Sequence, residues 1–187
     1  MDYQASARLA ASLLATELPR RWSHVQGVAK RAVSISSMFE AMDAEVLASA
    51  AILHDIGYSR RISKTNFHPL DGALYLASIG TSRRLCSLVA NHTCAYREAD
   101  LRGLSAELAE WDDEKTAVRD ALWWADMTTT PDGLVTNVRE RIEEIQARYG
   151  PGDLVSTFIQ RATSELVDAV DRTEERLRAA GLGHLAK

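Results

Sequence analysis

Cysteine is scarce in this sequence, with only Cys86 and Cys94 among 187 residues. A chain of this length buries most of a full-sized core without covalent staples, so a disulfide framework is excluded. The two read as one buried thiol and one loop thiol. A basic surplus is also missing: Lys and Arg total 22 against 26 Asp and Glu, a formal charge of −4. That excludes a general binder of nucleic-acid polymers. It leaves room for a small anionic substrate, because a pocket can be locally positive on an acidic protein. No apolar run approaches the roughly 20 residues that span a bilayer; the densest, 47–53, is interrupted by Ser49. The N-terminus lacks the basic and then apolar run of a signal peptide. A cytoplasmic protein with no membrane partner is the expectation.

Alternating β-type patterns, internal repeats and low-complexity tracts are absent as well, whereas helical periodicity runs through almost every segment. The expected architecture is all-α, one domain over 1–187. Helices are expected over 6–18, ended by Pro19, over 22–39, and over 44–56 with Asp43 as cap and Gly57 as stop. Segment 58–67 is polar, basic and aperiodic, hence a loop. His68-Pro69 opens the next helix, with proline at a favourable first-turn position. A fifth helix runs to about Asn91, 93–105 reads as irregular, and 105–111 as a short helix. Helices over 113–126, 134–149 and 154–180 complete the chain, with Gly150-Pro151-Gly152 as a break. Leu154, Val155, Phe158, Ile159, Leu166, Val167, Val170 and Leu177 recur at helical spacing, so the last helix is expected to pack over the core. A homodimer interface there is the lesser alternative, and no chemistry is assigned after Tyr149.

Several polar residues sit where a core should be. Residues 46–53 are apolar or small nearly all round, the pattern of a buried helix, yet that helix ends in His54-Asp55. A buried carboxylate needs a cation, strong donors or a raised pKa, and no Lys or Arg lies one turn earlier. A metal ion would satisfy Asp55 and a neutral His54 together. His24 is placed to meet them: with a turn at 40–43, the antiparallel mismatch between His24 and His54 is about 6 Å at 1.5 Å per residue. His68 stands at a loop-to-helix junction, His92 where a helix runs out, and Asp126 at the end of another apolar helix. His184, in a Gly-flanked tail, is read as a surface residue.

The ordered set His, His-Asp, His, His, Asp resembles the HD superfamily of metal-dependent phosphohydrolases. The resemblance is carried by Arg21-Trp-Ser-His24, Ala50-Ala-Ile-Leu-His54-Asp55-Ile-Gly, His68-Pro-Leu-Asp-Gly-Ala, Val89-Ala-Asn-His92-Thr and Trp124-Ala-Asp126. It implies a helical bundle with its motif core over 21–126 and additional C-terminal helices. It also implies one or two divalent metals on His24, His54, Asp55, His68, His92 and Asp126, with Asp55 bridging. Mixed His and carboxylate ligation suits iron or manganese, with zinc, cobalt or nickel as alternatives. The implied reaction is hydrolysis of a phosphate mono- or diester, of a nucleotide or another small phosphorylated metabolite, by a metal-activated water, with Asp55 and His54 as the catalytic pair. The spacing most resembles the bacterial diadenosine tetraphosphate hydrolase branch. Arg21 is the first choice for phosphate binding, because guanidinium matches phosphate oxygens. Arg60, Arg61, Lys64, Tyr58 and Thr129 are further substrate-binding candidates. Tyr58 follows the His-Asp pair where many dinuclear relatives carry Lys. A mixed-valent di-iron oxygenase and a non-catalytic nucleotide-binding protein are the alternatives.

Overall fold

The structure is a computed structural model, and it describes residues 1–186. Among the described residues there is no β-strand, and one isolated bridge joins Thr129 to Val135. The α-helices are α1 (Tyr3–Leu14), α2 (Pro19–Ser34), α3 (Ala41–Leu53), α4 (His68–Ser78), α5 (Arg83–Ala90), α6 (Ala95–Arg102), α7 (Ser105–Leu108), α8 (Ala117–Met127), α9 (Val138–Tyr149) and α10 (Leu154–Ala179). The all-α expectation is met. No helix among the described residues is long and apolar enough to cross a membrane.

The centre is α3. Its residues from Leu47 to Leu53 are all buried, as a helix without a polar face must be, and α1, α2 and α8 pack around it. α8 is its counterpart, buried from Asp120 to Met127. α10 lies along α8, α9 and α6 and buries Leu166, Ala169, Val170 and Leu177. The starts of these helices follow local chemistry. The side chains of Asp2, Thr116, Asn137 and Asp153 accept from backbone N–H groups of the first turns of α1, α8, α9 and α10, and Pro19 opens α2.

Several expected boundaries are corrected. Pro19 starts α2 rather than ending α1, which closes at Leu14. Glu40, not Asp43, is the cap position of α3, and Asp43 lies in its first turn. The segment expected to be irregular after His92 holds the whole of α6; its polar composition hid a helix whose buried face is only Ala95, Glu98 and Ala99. Both cysteines are buried and free, Cys86 within α5 and Cys94 in the turn before α6.

One ion-pair cluster ties the C-terminal helix down. Asp120 on α8 accepts from Arg172 at 2.8 and 2.9 Å and from Arg176 at 3.1 Å, both on α10. Burial pushes the Asp120 carboxyl up, but the hydrogen bonds from the two arginines outweigh it and hold it below the ordinary aspartate range. A depressed folded pKa stabilises above the unfolded value and is lost as pH falls through the folded one. Asp120→Asn is therefore expected to lower stability by about 1–3 kcal/mol at neutral pH, towards the lower end because the arginines are half exposed. At an acid pH low enough for the depressed carboxylate also to take its proton, the difference should close. Thermal unfolding of both proteins at the two pH values checks this.

Candidate metal centre

Five helices deliver the polar residues to one point. His24 is mid-way along α2, His54 caps the end of α3, and Asp55 follows it. His68 is the first residue of α4, His92 follows α5, and Asp126 lies in the last turn of α8. His24, His54, Asp55, His92 and Asp126 are at most 6% exposed. Ligand atoms of three trios (His24, His54, Asp55; His54, His92, Asp126; Asp55, His68, His92) lie within 4.8 Å of one another.

Backbone carbonyls set the histidine tautomers. Nδ1 of His24 donates to the carbonyl of Thr130 at 3.0 Å, that of His54 to Ala51 at 2.8 Å, and that of His92 to Val89 at 2.7 Å. With Nδ1 donating to a carbonyl, each ring turns Nε2 inwards, and it is this atom that a metal would take as ligand. His24 Nε2 meets Asp126 Oδ1 at 3.0 Å, and His92 Nε2 meets His68 Nε2 at 3.1 Å. His54 Nε2 is buried without a hydrogen-bond partner, with Asp55 Oδ2 at 3.4 Å. An unpartnered Nε2 beside two buried carboxylates and three further imidazoles makes a donor set that a cation would satisfy. A divalent metal fits the donor set, and the backbone-anchored Nδ1 atoms are the outer-shell support such ligands use.

Asp55 divides its carboxylate between two groups of histidines. Oδ2 lies 3.8 Å from His24 Nε2 and 3.4 Å from His54 Nε2, while Oδ1 lies 3.3 Å from His68 Nε2 and 3.9 Å from His92 Nε2. Oδ2 also accepts from Arg21 Nη1 at 2.7 Å, the cation that its own helix does not supply. Burial raises the Asp55 carboxyl, but Arg21 and then His54 outweigh it and hold it well below the usual range. Burial pulls His54 down, yet the charge of Asp55, aided by Asp126, takes it up to about 9, so without a cation the ring carries a second proton, which a divalent ion would displace on binding. Burial holds His68 and His92 below the ordinary histidine range, so both stay neutral near pH 7 with lone pairs available.

Local backbone makes the approach possible. A Cβ on Gly57 would lie 2.0 Å from the carbonyl oxygen of His68, so only glycine in the Ile56–Tyr58 turn lets the start of α4 come this close. Beyond His92, Thr93 and Cys94 both adopt left-handed backbone at φ 51° and 56°, a costly conformation for non-glycine residues. The turn aims Thr93 Oγ1 at Asp126 Oδ2, to which it donates at 2.5 Å.

The substrate-binding candidates separate. Arg21 and Tyr58 line the cavity over the centre. They form a stack, with the guanidinium 4.1 Å above the Tyr58 ring and that ring 4.0 Å from His68. Arg60 shares a neighbouring depression with Tyr58 and His68. Arg61 and Lys64 are exposed and do not line the cavity; Arg61 instead donates to the Ser12 carbonyl at 2.8 Å. Thr129 is corrected outright: it is buried, outside the cavity, and its hydroxyl donates to the Ala125 carbonyl. His184 is exposed, as expected.

Sequence reasoning missed Thr93, although it stands in the quoted His-Thr pair. It also missed Glu98, Arg141 and the apolar wall of Ile145, Val155, Phe158 and Ile159. The helices after Tyr149 thus do contribute to the site. Nothing in their regular spacing distinguished a cavity-lining face from a core-packing one.

A family model described as HD domain matches residues 21–136. No curated protein and no solved structure gives a match to the chain.

Proposed function

The chain belongs to the HD domain family, and from that premise we propose that it is a metal-dependent phosphohydrolase acting on a small phosphate ester. The observation that carries this reading is the convergence of four histidine Nε2 atoms on two buried carboxylates, with Asp55 presenting one oxygen to each histidine group. His24, His54, Asp126 and Asp55 Oδ2 would hold one ion; His68, His92 and Asp55 Oδ1 would hold the second. Bound there, divalent transition metals such as iron or manganese supply Lewis-acid polarisation of a phosphoryl group and lower the pKa of water.

The chain's own residues do the rest. Thr93 orients Asp126 by donating to Oδ2, and Arg21 orients Asp55. Arg21, at the cavity rim and 23% exposed on its side chain, is placed to meet phosphoryl oxygens as a planar donor fork. Tyr58, flat against both Arg21 and His68, covers that side. The finer likeness to diadenosine tetraphosphate hydrolases rests on sequence spacing alone.

The test is a panel of phosphate mono- and diesters with the metal-loaded protein, in air and without oxygen. Phosphate release at the same rate in both atmospheres supports hydrolysis. Substrate loss that requires oxygen and consumes it would replace this reading with an oxygenase. Binding of esters without turnover under either atmosphere would leave a non-catalytic binding protein.

A further inference from the structure

The family match ends at residue 136, yet the cavity over the metal centre continues beyond it. Its far wall is built by α9 and α10: Arg141, Ile145, Val155, Phe158 and Ile159. The matched region supplies the charged floor, and the C-terminal helices supply a wall of different chemistry. Four of those five side chains are apolar. The fifth is an arginine only 5% exposed.

Arg141 is not fully used by the fold. One of its terminal nitrogens pairs with Glu144 one turn along α9, while its Nε is buried with no hydrogen-bond partner. Buried guanidinium N–H groups are costly to leave unpaired. A cation held at the wall of a cavity that Arg21 also lines gives the space two guanidinium groups, the donor type that matches phosphate oxygens in a fixed fork. The cavity measures about 80 Å³ and runs from the metal-ligand residues to this wall. A substituent that reaches the α9–α10 wall meets carbon from Ile145, Val155, Phe158 and Ile159, and apart from Arg141 none of the donors and acceptors that a base or ribose would need.

On the phosphohydrolase reading above, we propose that Arg141 is a substrate-binding residue. With the apolar wall of α9 and α10 it selects phosphate monoesters of small apolar alcohols or phenols over nucleotides and dinucleotides. The phosphoryl group lies between Arg21 and Arg141, and its organic substituent packs on Ile145, Val155, Phe158 and Ile159.

The test pairs binding with turnover. Benzylphosphonate, which carries the group but cannot be cleaved as an ester, is titrated calorimetrically into the metal-loaded protein, and benzyl phosphate and adenosine monophosphate are compared as substrates. Arg141→Gln is expected to weaken benzylphosphonate about tenfold or more, the loss of one charge-assisted hydrogen bond, with Arg141→Lys restoring part of it. Benzyl phosphate should exceed the nucleotide in kcat/KM in the parent. Unchanged phosphonate affinity in a folded Arg141→Gln protein overturns the proposal. If that variant does not fold, Ile145→Ala decides. Widening the wall should raise the nucleotide-to-benzyl rate ratio about tenfold, the scale of a few methylenes in an apolar pocket, and an unchanged ratio overturns the proposal. Arg141-dependent phosphonate binding in a protein that cleaves no ester would sink the hydrolase reading and uphold the anion site. Hydrolysis that ignores Arg141 and prefers nucleotides would do the reverse.

Discussion

Asp55→Asn is expected to lower ester hydrolysis by at least about a thousandfold, since it weakens both ions at once where loss of an outer-shell partner typically costs 10- to 100-fold. The carboxylate is the one group whose two oxygens face both histidine groups, at 3.3 to 3.9 Å. An amide keeps the shape and one acceptor for Arg21 but offers no second anionic oxygen. Because it also removes a buried negative charge beside Asp126, the fold should lose little: the helical circular dichroism spectrum is expected to match the parent's. A variant that keeps more than a tenth of the parent rate would show that Asp55 is a structural partner of Arg21 and no bridge.

The second large effect is selective. His68→Ala is expected to leave one ion on His24, His54, Asp126 and Asp55 and to lose the other. The metal count should fall from two towards one per chain, and the rate by about a hundredfold or more, because the phosphoryl clamp needs both ions. His68 is the most replaceable ligand for the fold. It opens α4 instead of lying inside helix packing, and its side chain keeps 14% of its surface in solvent. Removal also takes away the ring on which Tyr58 stacks. Metal analysis beside the steady-state rate decides the matter; unchanged metal content and rate would mean a mononuclear site with His68 outside it.

His24, His54, Asp55 and Asp126 were legible because burial logic and motif order agree on them, whereas His68 and His92 rested mainly on motif order. A helix apolar all round that ends in His54-Asp55 has no cheap explanation, and the structure buries both residues to within 3%. The partner for Asp55 was not legible as such. Arg21 lies on α2, and only the α2–α3 packing places its guanidinium 2.7 Å from the carboxylate. Its choice as a phosphate ligand and its observed ion pair are compatible, since one nitrogen serves Asp55. Thr129 failed for a different reason. Its position just after Asp126 resembles a pocket edge, but the α8 terminus folds its hydroxyl back onto the Ala125 carbonyl.

Helix existence was easier to read than helix ends. Pro19 can end one helix or start another, and the capping geometry that decides is tertiary. α6 was lost because a helix with two charged pairs and a narrow buried face leaves little periodic signal; Glu98 is buried there only because Arg102 pairs with it at 2.6 Å. Arg141 was hidden by the opposite effect. Its neighbours Ile142 and Ile145 carry the helical pattern, and a buried arginine among them looks like a solvated charge until the cavity is seen.

The most direct test of the account is the metal content of the purified, reconstituted protein, measured by mass spectrometry against protein concentration. Two transition-metal ions per chain are predicted, matching the two histidine groups that share Asp55. Fewer than one ion per chain after reconstitution with iron, manganese and zinc in turn would contradict the account.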